Sequence, residues 1–116
     1  MRLNLPGQIA TVSLVFACAV AVAFASPKPS ASAGQKVLEA NHCTMCHSLK
    51  GVGGKIGPDL AGVGSRRKPD WIAKQIEDPK SHNAKSIMPS FAQLSKRERE
   101  DLVAYLSTLK EVPASR

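Results

Sequence analysis

The sequence predicts an all-α domain of three to five short helices joined by long loops, and three observations predict it. No stretch alternates apolar and polar residues with the period of two that a half-buried strand requires. Apolar residues instead recur at helical spacing near the C-terminus, where Leu102, Tyr105, Leu106 and Leu109 fall at i, i+3, i+4 and i+7. Between Gly51 and Gly64 stand six glycines and one proline, the composition of a long loop.

The first quarter of the chain stands apart. Arg2 is the only charge before Lys28, and from Ile9 to Ala25 the run IATVSLVFACAVAVAFA is apolar apart from Thr11 and Ser13. It ends in Ala23-Phe24-Ala25. A basic start, an apolar centre and a small-x-small end describe an export signal over residues 1–25, cut before Ser26. The apolar run is short for a spanning helix, which needs about 20 residues. Retention as a membrane anchor and lipidation at Cys18 are the alternatives; Cys18 otherwise reads as a small apolar residue of this segment. Residues 26–32, SPKPSAS, have the composition of a flexible linker.

The domain is expected over residues 33–110, with 111–116 as a tail. Its first helix runs from about Ala33 to Asn41, with Val37 and Leu38 facing inward and Gly34 leaving a flat spot. The stretch Cys43-Thr44-Met45-Cys46-His47 follows. After the glycine-rich loop, Pro69 suits a first helical position, and Trp71, Ile72, Gln75 and Ile76 line one side of the helix it opens. Asp78-Pro79 ends that helix. The polar loop KSHNAKS leads to Ile87-Met88-Pro89. The last helix opens on Ser95-x-x-Glu98, a capping box in which the serine hydroxyl caps one free amide and the glutamate reaches back to another. Pro113 marks its stop.

The net charge is +7, and an export cut would remove only Arg2 from it. The basic residues are scattered apart from Arg66-Arg67-Lys68. Beyond residue 25 the aromatics are Trp71, Phe91 and Tyr105. A nucleic-acid binder wants a basic stripe or interleaved aromatics, and neither is present. The charge suits acidic protein partners, or is simply a solvated surface. A domain this small buries only about 60–65% of its unfolded surface, and here it has few rings to build a core. A large apolar cofactor would supply the missing volume.

CTMCH carries the chemistry. Each cysteine thiol can add to one haem vinyl group, and two intervening residues let both sulfurs reach one porphyrin edge. The adjacent His47 then aims its imidazole at the iron. C-x-x-C-H is the sequence sign of c-type haem attachment, and an export signal agrees with it because covalent haem is installed outside the cytoplasm. Rival readings fit less well. Structural zinc needs four ligands, and no distant Cys/His pair completes the set begun by Cys43, Cys46 and His47 or His42. A redox dithiol needs a βαβ setting. A plain disulfide accounts for the cysteines but not for the histidine.

With His47 on one face of the iron, Met88 is the candidate for the other. It stands in a loop before Pro89, and a thioether is a soft ligand that raises the reduction potential. Met88 as a gap-filler in an apolar pocket is the plain alternative, and His82 is the rival ligand. Met45, between the two attachment points, is excluded by geometry.

Over roughly residues 33–110 the chain resembles the class I c-type cytochromes, in particular the small bacterial monohaem members. The resemblance rests on CTMCH at 43–47, GPDL at 57–60, IMPSF at 87–91 and LSKREREDLVAYLSTL at 94–109. It implies the cytochrome c fold around one covalently bound haem c. The first and last helices would cross, bringing Gly34 and Leu38 against Leu102, Tyr105 and Leu106. The Pro58 carbonyl would accept from the second ring nitrogen of His47 and fix its tautomer. Trp71 and Arg67, or Arg66, would be placed to hold a haem propionate.

The function expected from this reading is that of a periplasmic single-electron carrier, not an enzyme. Its expected partners are redox proteins with acidic docking surfaces, met by lysines such as Lys50, Lys55 and Lys85. It is expected to be a monomer, with no nucleic-acid partner, and to meet a membrane only if the N-terminal segment is retained. Three alternatives remain: a dedicated haem subunit of an oxidoreductase complex, a haem protein with an open iron site that binds peroxide or a gas, or a structural disulfide module with no haem.

Overall fold

The computed structural model describes residues 20–111 and Gly7. Most of the expected export segment, and Pro113 with the end of the tail, lie outside the described residues. No helix among the described residues is long and apolar enough to cross a membrane.

Helix α1 spans Ala31–Ala40. It opens two residues ahead of the expected start because the Ser30 hydroxyl accepts from the Ala33 amide at 3.3 Å and caps it. The end of the expected linker is therefore ordered. Asp101 sits at the same helix start. Its Oδ1 accepts from the Ser30 amide at 2.7 Å and its Oδ2 from Arg97 Nε at 3.1 Å. This carboxylate is 6% exposed but fully paired, and it lies where the helix dipole favours negative charge. Arg97 also donates to the carbonyls of Pro27 and Lys28, fastening the entering chain.

Past α1 a two-stranded antiparallel hairpin forms, β1 Ser48–Leu49 with β2 Val52–Gly53, in the register Ser48 to Gly53 and Leu49 to Val52. The sequence reading expected no strand. Its two-residue turn places Lys50 at φ 53° and Gly51 at φ 80°, the left-handed pair of a hairpin turn. The glycine-rich stretch also holds a short helix, α2 Val63–Arg66. Gly64 is buried there, and a side chain on it would overlap the Ser107 carbonyl. The glycine serves close approach as well as looping.

Helix α3, Pro69–Glu77, begins on its proline as expected and buries Ile72 and Ile76. Helix α4, Lys96–Thr108, carries both halves of the Ser95/Glu98 capping box and buries Leu102 and Leu106. It closes before Pro113, with Leu109 as its C-cap.

The core is the apolar cluster Leu38, Ile72, Ile76, Leu94, Leu102 and Leu106, with Trp71, Phe91 and Tyr105 packed around it. Helices α1 and α4 meet backbone to backbone. A Cβ on Gly34 would overlap the Asp101 carbonyl and stand 2.8 Å from Tyr105 Cβ. The expected meeting of first and last helices is present, and Gly34 is its contact point.

Candidate functional site

The site is built on the turn that leaves α1. Asn41 Nδ2 donates to the Val37 carbonyl at 2.8 Å and closes the helix. His42, in the left-handed region at φ 54°, then redirects the chain. A 3-10 turn over Cys43–Met45 follows, and the His47 amide donates to the Cys43 carbonyl at 2.9 Å. One helical turn thus separates Cys43 from Cys46, so residues three apart share a side. Both are free thiols and partly buried. Between them Met45 is 72% exposed, in keeping with its exclusion as a ligand. Burial pushes the Cys43 thiol above its ordinary pKa; its own backbone bond opposes the shift and the neighbouring Cys46 adds to it.

His47 is oriented by the loop that returns over it. Its Nδ1 lies 2.8 Å from the Pro58 carbonyl oxygen. A carbonyl only accepts, so Nδ1 carries the proton and Nε2 keeps a lone pair suited to a metal. This is the contact expected of Pro58. It depends on Gly57, where any Cβ would overlap the imidazole at Cε1. The Gly57 amide also donates to the Cys46 carbonyl at 2.7 Å, and the Gly54 amide to Thr44 at 2.9 Å.

Asp59 ties this loop to the hairpin, a role the sequence reading missed. Its carboxylate accepts from Ser48 Oγ at 2.8 Å, from the Gly51 and Ala61 amides at 2.7 Å each, and from the Lys50 amide at 3.2 Å. Led by the Gly51 amide, then the Ala61 amide and the Ser48 hydroxyl, these donors lower its pKa to about 2. The bond from Asp59 to the amide two residues on is an Asx turn, a signal readable in sequence as an aspartate just after Gly-Pro.

Met88 is partly buried in the loop after α3. Its amide donates to Ser86 Oγ at 3.3 Å, and its sulfur accepts from Gln75 Nε2 at 3.5 Å. Just beyond, the Ser90 hydroxyl donates to the Glu77 carbonyl and the Phe91 amide to Ile76 at 2.9 Å. The loop is thereby pinned to the end of α3. His82, the rival ligand, is exposed; its ring stacks on Trp71 with centroids 4.3 Å apart and planes 4° from parallel. Its Nδ1 is 2.9 Å from Gln75 Oε1.

The two arginines separate in role. The Arg67 guanidinium lies 4.2 Å from the centroid of the Trp71 ring. Arg66 instead pairs with Glu111 at 2.6 Å and donates to the Asp59 carbonyl at 2.8 Å. Arg67 and Trp71 lie together, and His82 and Gln75 extend the group in a way the sequence did not indicate.

The donor set fits a haem. Two free thiols one turn apart, an imidazole fixed through Nδ1 and a glycine that gives that ring its space suit two thioethers and a bond from His47 to iron. Among the described residues, no three His, Cys, Asp or Glu side chains gather as a metal ion would require, so the zinc reading has no ligand cluster behind it.

The family described as Cytochrome c matches residues 31–110. A cytochrome c-553-like protein of Synechocystis is 35% identical over 82 residues, covering 71% of each chain. Cytochrome c oxidase subunit 2 of Alkalihalophilus pseudofirmus is 32% identical over 88 residues; these cover 69% of this chain but 26% of that protein. Among solved structures, SoxXA from P. pantotrophus superposes with a TM-score of 0.68 at 22% identity, covering 74% of this chain and 85% of that one.

Proposed function

The chain belongs to the cytochrome c family, whose members carry electrons with one covalent haem c, and we propose that it is an exported single-electron shuttle of the periplasm with Cys43 and Cys46 as attachment points and His47 and Met88 as axial ligands. Bound there, the haem supplies a one-electron Fe(III)/Fe(II) couple. The residues of the chain hold and tune it. Cys43 and Cys46 anchor one porphyrin edge through thioethers. The Pro58 carbonyl holds the His47 proton at Nδ1, which keeps Nε2 aimed and makes it a better donor. The Met88 thioether favours the reduced state. Its partly buried sulfur supports Met88 over the exposed His82, whose ring is already committed to Trp71 and Gln75. The Arg67 guanidinium lies over the Trp71 ring at the start of α3, and the two are proposed to meet a propionate.

The observation that carries this reading is the bond from His47 Nδ1 to Pro58 across the space that Gly57 leaves. By holding the proton at Nδ1 it leaves the Nε2 lone pair for a metal. The intact mass of the exported protein tests the attachment and the processing together. The expected mass is that of residues 26–116 plus one haem. Cys43→Ala with Cys46→Ala should release that haem into acid acetone. An exported wild-type protein with the bare chain mass would contradict the proposal.

Partner choice is proposed from the exposed surface. Lys50, Lys55 and Lys85 are exposed in the loops on either side of the site residues. A lysine rim suits an acidic redox protein. Reduction by such a partner should slow as salt rises; a rate that salt leaves unchanged would contradict the rim. A second reading, a haem subunit within an oxidoreductase complex, is favoured by the match to part of an oxidase subunit. Copurification with a catalytic chain would establish it.

A further inference from the structure

We infer that Gln75 is a positioning residue for the Met88 sulfur and that His82 sets the orientation of its amide, an inference that rests on the Met88 ligation proposed above. Gln75 stands on α3 with its Nε2 3.5 Å from Met88 Sδ and its Oε1 2.9 Å from His82 Nδ1. Donor and acceptor chemistry assigns every member of this chain of contacts. A thioether sulfur only accepts, so the amide NH2 faces Met88. The amide carbonyl then faces His82, so Nδ1 must carry a proton and donate it. The relay runs one way, from His82 through Gln75 to the sulfur.

His82 is exposed yet held. Its ring lies 4° from parallel to the Trp71 indole at 4.3 Å, and Arg67 lies over the same indole at 4.2 Å. Trp71 and Gln75 are four residues apart on α3, hence neighbours on one face. One histidine therefore spans both, with its ring on the first and its Nδ1–H on the second. The loop that carries Met88 is fastened to α3 at its start by His82 and at its end by Ser90 and Phe91.

Two consequences follow. The donated N–H restrains rotation of the Met88 side chain, and it draws electron density from Sδ. A sulfur that gives less density to the iron stabilises the ferric state less, so this contact raises the reduction potential. The contact is weak taken alone, since a thioether is a poor acceptor. Its effect depends on an amide that is already oriented, as the His82 bond provides.

The test uses the exported holoprotein, measuring its reduction potential and the far-red iron–sulfur band of the ferric form. Gln75→Leu is expected to lower the potential and shift the band. His82→Phe, which keeps a ring over Trp71 but removes the donor, is expected to lower the potential by a smaller step. His82→Asn keeps a donor near the Nδ1 position and is expected to stay close to wild type. The double variant Gln75→Leu with His82→Phe is expected to match Gln75→Leu alone, because the second change acts only through the first. A Gln75→Leu protein with an unmoved potential and band overturns the inference, as does a double variant whose two shifts add. A wild-type ferric spectrum without the band overturns Met88 ligation itself, a failure distinct from a failure of the relay.

Discussion

The crossing of α1 on α4 and the loop over His47 solve the same problem, holding two chain segments at a fixed distance, by different physics. At the crossing, Gly34 lets two backbones touch, and Leu38, Leu102 and Leu106 fill the space beside them. Burial is non-directional and strong there. At the loop, Gly57 lets the chain touch an imidazole, but the fastening is polar: Pro58 to His47, and Asp59 to Ser48, Gly51 and Ala61. Val52 and Ile56 in that loop are exposed. The comparison teaches that the core places the site, whereas directional bonds orient its atoms. A chemically active segment with little apolar burial of its own depends on its cofactor for the rest.

Substitutions at the two glycines sharpen the contrast most. Gly34→Val should cost on the order of 3 kcal/mol or more, since neither backbone can give way, and chemical denaturation of the holoprotein would read it as loss of the folded baseline. Leu38→Ala, at a residue 2% exposed, should cost about 2–5 kcal/mol and leave the haem spectrum unchanged in the fraction that stays folded. Gly57→Ala should do the reverse. Displacing the His47 ring should alter the spectrum and the potential, with a stability loss of about 1–3 kcal/mol. If Gly57→Ala left the spectrum unaltered, the division between placing and orienting would fail.

Smaller effects follow at the helix cap and the carboxylate. Ser95→Ala removes one half of the α4 capping box and should cost about 1 kcal/mol, seen as a lower thermal midpoint with an unchanged potential. Asp59 makes the loop acid-sensitive. Its pKa is lowered from about 3.8 to about 2 in the folded protein, so the stability it lends is complete above the unfolded value. That stability declines below about pH 4 and is gone once pH has fallen through 2. Amide exchange at Lys50, Gly51 and Ala61 should accelerate over this window while α1 and α4 stay protected. In Asp59→Asn the same amides should show no such pH step.

Legibility in the sequence followed the same division. The capping box, the proline that opens α3 and the apolar spacing of α4 are local signals, and each element formed where they placed it. Cys43, Cys46 and His47 were legible because the chemistry needs them adjacent. The hairpin was not, since two residues per strand are too few to show alternation. Helix α2 was hidden because Gly62 and Gly64, there for close packing, look like loop residues. The early start of α1 turned on Ser30, one of three serines in a segment that reads as linker. Gln75, His82 and Trp71 join residues up to 17 positions from Met88 through contacts that no spacing rule encodes.

The central claim is that His47 and Met88 close both faces of a covalent haem, so that the protein carries electrons and binds no substrate at iron. The most direct test is the oxidised-minus-reduced absorption spectrum of the purified exported protein, repeated under carbon monoxide. The account predicts a c-type spectrum with the far-red iron–sulfur band in the oxidised form and no change on adding the gas. A c-type spectrum that lacks the band, or that shifts under carbon monoxide, would contradict it and point to His82 ligation or an open iron site.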